Sequence, residues 1–194
     1  MTSSSSSGLE RGLDTMLLVY CALQGHPAAS VCEQFLRSHS GWFTSPLILI
    51  EAKGVLTKVY GVDPGAATHK LSQVPAVVLL DLDWATVASA FQLADTHGLQ
   101  LADAVLLHQA CQHGARYLAT EDQRLAHVCQ QLGITPESPM DSALRQQVAV
   151  WEAANLAPKG LPRVLRRVHQ WLSQNHAQAA QDFWSQTGGG SHLP

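Results

Sequence analysis

Residues 115–133, ARYLATEDQRLAHVCQQLG, read as a short apolar strand, ARYLAT, joined at an aspartate to an amphipathic helix. Leu125, Val128, Cys129 and Leu132 recur at the helical period and share one face, and Asp122 stands where that helix begins. The same unit recurs upstream. RGLD leads as a short strand into TMLLVYCAL, a helix carrying Val31, Cys32, Phe35 and Leu36 follows Pro27, and GWFTS is strand-like. PLILIEAKGVLTKVYG opens at Ser45 and Pro46 and closes at Gly61, the usual asymmetry of helix start and stop residues. DPGAATHKLSQV is a further helix, PAVVLLDLD a buried strand, WATVASAFQLADTHG a helix ending at Gly98, and LQLADAVLLHQACQHG a helix ending at Gly114. Strands alternating with helices predict an α/β fold, a parallel sheet covered on both faces.

The whole chain agrees with that reading. With 194 residues, 46% hydrophobic and 14% charged, it is long enough for one domain with a full core plus an extension. We expect a flexible leader at 1–10, the α/β domain at 11–140, a helical extension at 141–184 and a disordered tail at 185–194. LRQQVAVWEAANL and LPRVLRRVHQWLSQ are helical patterns with no strand between them, hinged near Pro158–Pro162. No apolar run is long enough to span a membrane and no secretory segment opens the chain, which predicts a cytoplasmic protein without a membrane partner. Cys21, Cys32, Cys111 and Cys129 form no C-x-x-C pair and read as reduced core residues; the ten histidines show no zinc spacing.

The acids carry the chemistry. Residues 1–140 hold 12 acids against 7 Lys and Arg, whereas 141–194 hold 3 against 5. Asp103 shares a helix face with Leu106, Leu107, Ala110 and Cys111, where an isolated ionised carboxylate is strongly disfavoured unless it is paired, hydrogen-bonded or metal-bound. Glu51 shares a face with Leu47, Ile48, Gly54 and Val55. Asp14 and Asp122 end strands, on the side where parallel α/β sheets bind ligands. Each alone has a bland reading as a helix cap or a dipole partner. Four together point to a cation, because converging carboxylates repel one another, and an all-oxygen ligand set suits Mg²⁺ or Mn²⁺.

LDTMLLVY, LILIEAKGVL, LADAVLLHQA and LATEDQRL together resemble the four motifs of the PIN domain, the nuclease fold of VapC-type toxins, over residues 11–140. The resemblance implies a three-layer α/β/α sandwich around a mainly parallel sheet, followed here by C-terminal helices. It also implies Mg²⁺- or Mn²⁺-dependent cleavage of RNA to 5′-phosphate and 3′-hydroxyl ends. By this likeness Asp14, Glu51, Asp103 and Asp122 are the catalytic and metal site, with Thr15 and Thr120 as polar neighbours. An antitoxin partner and a homodimer are further implications, and Leu17, Leu18, Leu23 and Phe35 serve either a dimer face or the core. The chain departs from the family at Met16, where asparagine or serine is usual.

RNA has to be attracted to an acidic centre. The cations available are Lys53, Lys58, Arg124 and the run Lys159, Arg163, Arg166 and Arg167, which lies in a stretch free of acids from Ala153 to Gln181. The alternative for that run is a solvated helix face, with Leu161, Val164, Leu165, Val168 and Leu172 packing on its other side; Trp151 and Trp171 read as packing anchors. Two rival functions stand against a nuclease. One is a catalytically degenerate PIN fold that binds RNA or protein, hinted at by Met16. The other is a phosphatase of the haloacid dehalogenase type, prompted by LDTML, but that chemistry needs a second aspartate where Met16 stands.

Overall fold

A computed structural model describes residues 8–74, 77–156 and 163–186. Five short strands, β1 (Arg11–Leu13), β2 (Trp42–Thr44), β3 (Val78–Leu79), β4 (Tyr117–Ala119) and β5 (Thr135–Glu137), form one sheet in the order β3-β2-β1-β4-β5. Every pairing is parallel. The central strand is pinned from both sides by Gly12, which lies opposite Phe43 and Leu118. A Cβ there would come within 3.3 Å of Leu118 and 3.4 Å of Phe43, so glycine is what lets both large side chains close over the strand.

Ten helices among the described residues complete the α/β/α layers: α1 (Thr15–Ala22), α2 (Ala29–Ser38), α3 (Pro46–Lys58), α4 (Pro64–Ser72), α5 (Trp84–His97), α6 (Leu101–Gln112), α7 (Gln123–Gln131), α8 (Ser142–Asn155), α9 (Arg163–Asn175) and α10 (Ala177–Gln186). Their starts follow local chemistry. Ser45 accepts from the Leu47 N–H, Asp63 from Gly65 and Ala66, and Asp83 from Thr86, each satisfying donors that the first turn leaves open. Helix α5 stops at Gly98, in the left-handed conformation with φ of 64°. Among the described residues no helix is long and apolar enough to cross a membrane.

Helix α6 is buried nearly all round, through Ala104, Val105, Leu106, Leu107, Gln109 and Ala110, as expected of a helix enclosed by a sheet and a neighbouring helix. Leu17, Leu18 and Leu23 are also core residues, so these three present no free apolar face for a second subunit. Trp42 is fully buried and donates through its indole N–H to the carbonyl oxygens of Leu36 and His39, which removes the penalty of burying that donor.

Three expectations change. Among the described residues of PAVVLLDLD, 77–83, the strand is the two-residue β3 at the sheet edge, with Val78 and Leu79 about half exposed, because a strand with one neighbour is not covered as a central one is. Sequence reading missed β5, whose Thr135-Pro136-Glu137 is three residues long and interrupted by a proline that only an edge strand tolerates. Cys32 and Cys129 are core residues, but Cys21 is half-buried and Cys111 exposed; all four are free thiols.

The chain forms two compact units, one within Met1–Arg145 and one within Gln146–Pro194. In the first, Asp141 accepts from the Leu144 N–H and Arg145 pairs with Glu121 at 3.1 Å, securing the start of α8. In the second, α9 packs on α10 through His169, whose ring lies 6.4 Å from Phe183 and 5.8 Å from Trp184. The hinge expected near Pro158–Pro162 lies outside the described residues.

Candidate active site

Asp14 follows β1 directly and caps α1, so one residue ends a strand and starts a helix. Its backbone N–H donates to the Ala119 carbonyl at 3.1 Å, continuing the β1–β4 ladder one residue past the strand. The side chain is buried. One carboxylate oxygen accepts from the Thr15 N–H at 2.6 Å and the other from the Thr120 hydroxyl at 2.6 Å. Burial nevertheless pushes its pKa up to about 6, against those two hydrogen bonds and with the charges of Glu51 and Asp122 adding to the rise.

Thr120 follows β4 and does two jobs. Its hydroxyl donates to Asp14 and accepts from the Asp122 backbone N–H at 2.9 Å, holding the β4–α7 turn in place. Asp122 then caps α7, its Oδ1 accepting from the Leu125 N–H at 2.8 Å. Thr15 reaches the other way, its hydroxyl donating to Glu51 Oε2 on α3 at 2.9 Å. A continuous polar chain therefore runs from Asp122 through Thr120, Asp14 and Thr15 to Glu51. The cap reading of Asp14 and Asp122 is correct, and the same two residues also belong to this network.

Asp103 enters from the first turn of α6, half-buried. Desolvation pushes its pKa up to about 7, followed by the fields of Asp14, Glu51 and Asp122. All three other acids thus add to the rise of this one carboxyl. Among the described residues none of the four is in an ion pair with Lys or Arg.

Among the described residues no three acidic, imidazole or thiol groups converge closely enough to chelate one ion directly. The donor set still fits a hard divalent cation. It is wholly oxygen and lacks a countercharge, and Mg²⁺ commonly keeps several waters while using only one or two carboxylates. A cation there would offset the mutual repulsion that adds to the effect of burial in raising Asp14 and Asp103.

The candidate RNA contacts are less uniform. Lys53 and Lys58 are exposed on α3, but Lys53 is two positions from Glu51 and faces away from it, whereas Lys58 is seven positions on and returns to the same side. Arg124 donates to the Gly98 carbonyl at 2.7 Å, so this residue also ties α7 to the end of α5. Lys159 lies outside the described residues, and Arg163, Arg166 and Arg167 are described only in the backbone of α9. Met16 is half-exposed beside Asp14 and Thr15.

Sequence reasoning missed Gln109. It is almost fully buried and donates to the Asp81 carbonyl at 3.0 Å, fixing the β3–α5 loop to α6 six residues beyond Asp103. No sequence signal marks it, since a lone glutamine in an apolar helix has no pattern of its own.

The fold is similar to two solved structures. VapC20 of Mycobacterium tuberculosis, described as a toxin that cleaves the sarcin-ricin loop, aligns with 16% identity and a TM-score of 0.54, over 61% of this chain and 95% of that one. PAE2754 of Pyrobaculum aerophilum aligns with 20% identity and a TM-score of 0.50, over 73% of this chain and 98% of that one. No curated protein matches the sequence significantly. The family model of the PIN domain matches residues 13–131, a span that opens just before Asp14 and contains Glu51, Asp103 and Asp122. The chain belongs to the PIN domain family.

Proposed function

We propose that the chain is a cytoplasmic, metal-dependent endoribonuclease, with residues 11–140 as its catalytic domain and 141–184 as a helical extension. The observation that carries this reading is the polar chain in which Thr120 holds Asp14 and the backbone of Asp122 while Thr15 holds Glu51, with Asp103 pushed up by burial and by the charges of those three acids. Uncompensated acids crowded beside strand ends make a site built for a cation. Family membership supports hydrolysis of a phosphodiester, and the likeness to a toxin described as cleaving the sarcin-ricin loop supports RNA as substrate. A cognate antitoxin and a homodimeric state belong to the same proposal.

Asp14, Glu51, Asp103 and Asp122 hold Mg²⁺ or Mn²⁺. When bound, the ion supplies Lewis-acid activation of water and neutralises charge on the phosphate and the leaving oxygen. The protein's own part is preorganisation. Thr120 fixes both Asp14 and the backbone of Asp122, and Thr15 fixes Glu51, so three acids are oriented before any ligand arrives. Lys58, on the same side of α3 as Glu51, offsets phosphate charge at the rim, whereas Lys53 faces away and Arg124 is engaged at Gly98.

The test is cleavage of an end-labelled RNA pool with Mg²⁺, with Mn²⁺ and with a chelator, beside Asp103→Asn. We expect metal-dependent cutting to 5′-phosphate and 3′-hydroxyl ends, reduced by about 10³-fold in the variant, since asparagine keeps the shape and removes a ligand charge. Cyclic phosphate ends, or equal cutting by both proteins, overturn the mechanism. If both are inert yet bind RNA, the chain is a binding module on a nuclease fold.

A further inference from the structure

Between Thr120 and Asp122, in the turn from β4 to α7, stands a further acid, Glu121. A fifth carboxylate beside four others adds to their repulsion unless a group outside the cluster takes it up. Here that group comes from the segment after β5. Glu121 Oε2 accepts from Arg145 Nε at 3.1 Å, and its Oε1 accepts from the Ser138 hydroxyl. The Ser138 oxygen in turn accepts from Arg145 Nη2 at 3.0 Å and from the Met140 N–H at 3.0 Å. One residue before Ser138, the Glu137 carbonyl accepts from the Thr120 N–H at 3.0 Å.

An exposed ion pair between two flexible side chains holds little. This one differs, because the Glu121 side chain is only 10% exposed and the guanidinium reaches two acceptors that are bonded to each other. Arg145 is itself held by the start of α8, where the Asp141 carboxylate accepts from the Leu144 N–H at 2.8 Å and the Asp141 carbonyl from the Arg145 N–H at 3.0 Å. Ser138 and Arg145 lie beyond residues 13–131, so family membership gives them no role.

We infer that Arg145 and Ser138 are positioning residues for the acidic site, holding Glu121 so that the turn keeps Thr120 and Asp122 in place. Thr120 passes that constraint on, since its hydroxyl donates to Asp14 and accepts from the Asp122 N–H. The opening of α8 is then part of the site's support, and not an appendage to the domain. Removing the guanidinium has two consequences. It frees the turn, and it leaves the charge of Glu121 unpaired next to Asp122. The bearing on a metal rests on the nuclease reading above; the hold on the turn is measured without it.

The experiment is amide hydrogen exchange of the full chain in chelator, followed by NMR at the Thr120, Asp122 and Leu125 N–H groups, which this turn engages, with β2 as the reference. Wild type is compared with Arg145→Gln, and with Ser138→Ala as the milder variant should Arg145→Gln fail to fold. Exchange at the three groups should rise about tenfold in Arg145→Gln and about threefold in Ser138→Ala, with β2 unchanged. Unchanged exchange at the turn, or an equal rise in β2, overturns the inference, even where the wild type cuts RNA. A rise confined to the turn sustains it, even where no metal elicits cutting and the nuclease reading fails. Where the wild type does cut, the Mg²⁺ concentration for half-maximal cleavage should rise about tenfold in Arg145→Gln while KM for RNA stays unchanged. A cutting variant with the Mg²⁺ dependence of wild type overturns the role in the acidic site.

Discussion

Two places in this sheet take charge out of water, and they do it in opposite ways. Arg11 on β1 pairs with Glu137 on β5, and the guanidinium lies 4.1 Å from the ring centre of Tyr117 and 5.9 Å from that of Trp42. Both partners are largely buried, and each satisfies the other. Beside the ends of β1 and β4, Asp14, Glu51 and Asp122 are linked through Thr15 and Thr120, the charges of all three raise the pKa of Asp103 in addition to its burial, and among the described residues none of the four acids has a cationic side chain in an ion pair. The first arrangement is complete in itself. The second has no cationic partner among the described residues, and it is there that the proposed function places the metal.

The largest effect expected on stability comes from breaking the completed pair. Arg11→Met leaves Glu137 buried without its partner and should cost about 3–5 kcal/mol, lowering Tm by about 6–20 °C. Adding Glu137→Gln should recover most of that loss, and a double-mutant cycle followed by thermal unfolding measures it. A double variant as unstable as Arg11→Met alone would show that ring contacts, rather than charge compensation, hold this corner together.

Next in size is Thr120→Val, which removes the donor to Asp14 and the acceptor for the Asp122 N–H. We expect cleavage to fall about 10- to 100-fold with the fold intact, as when an outer partner of a metal ligand is lost. Thr120→Ser, which keeps the hydroxyl, should restore most of the rate; a serine variant as slow as valine would remove the hydrogen bond as the cause.

The smallest effect carries the sign that separates the two places. Asp14 and Asp103 bind their protons more tightly in the folded chain than in the unfolded one, at about 6 and about 7. Between about pH 4 and 7 the folded chain therefore holds more protons than the unfolded chain, and metal-free stability falls as pH rises through that window. At pH 8 in chelator, Asp103→Asn should be more stable than wild type by about 1–2 kcal/mol, well below the full value of its shift because the side chain is partly exposed. Mg²⁺ should raise the Tm of wild type at pH 8 more than that of the variant. A metal-free wild type that gains stability from pH 5 to 8 would contradict crowding of the acids.

Much of this was legible in the sequence, for identifiable reasons. Helices of nine residues or more announce themselves by period and by caps, so Ser45, Asp63, Asp83 and Gly98 mark their ends. An acid among apolar residues is anomalous wherever it sits, which is how Asp103 and Glu51 stood out, and Asp14 and Asp122 stood out by following strands. Strands of two or three residues give no period, so β5 went unread and β3 was read as longer and better covered than it is.

The sequence by itself determined the alternation of elements, the four acids and the basic character of the C-terminal helices, because these depend on residue type and local spacing. Only the tertiary structure decided that Thr120 serves two aspartates at once, that Thr15 reaches Glu51 across 36 residues, that Gln109 fastens the loop at Asp81, and that Arg124 is partly occupied at Gly98. Each of these bonds joins segments whose meeting depends on strand order in the sheet. The elevation of Asp14 and Asp103 is likewise collective, since it comes from burial and from charges on other elements, and no single stretch of sequence contains it.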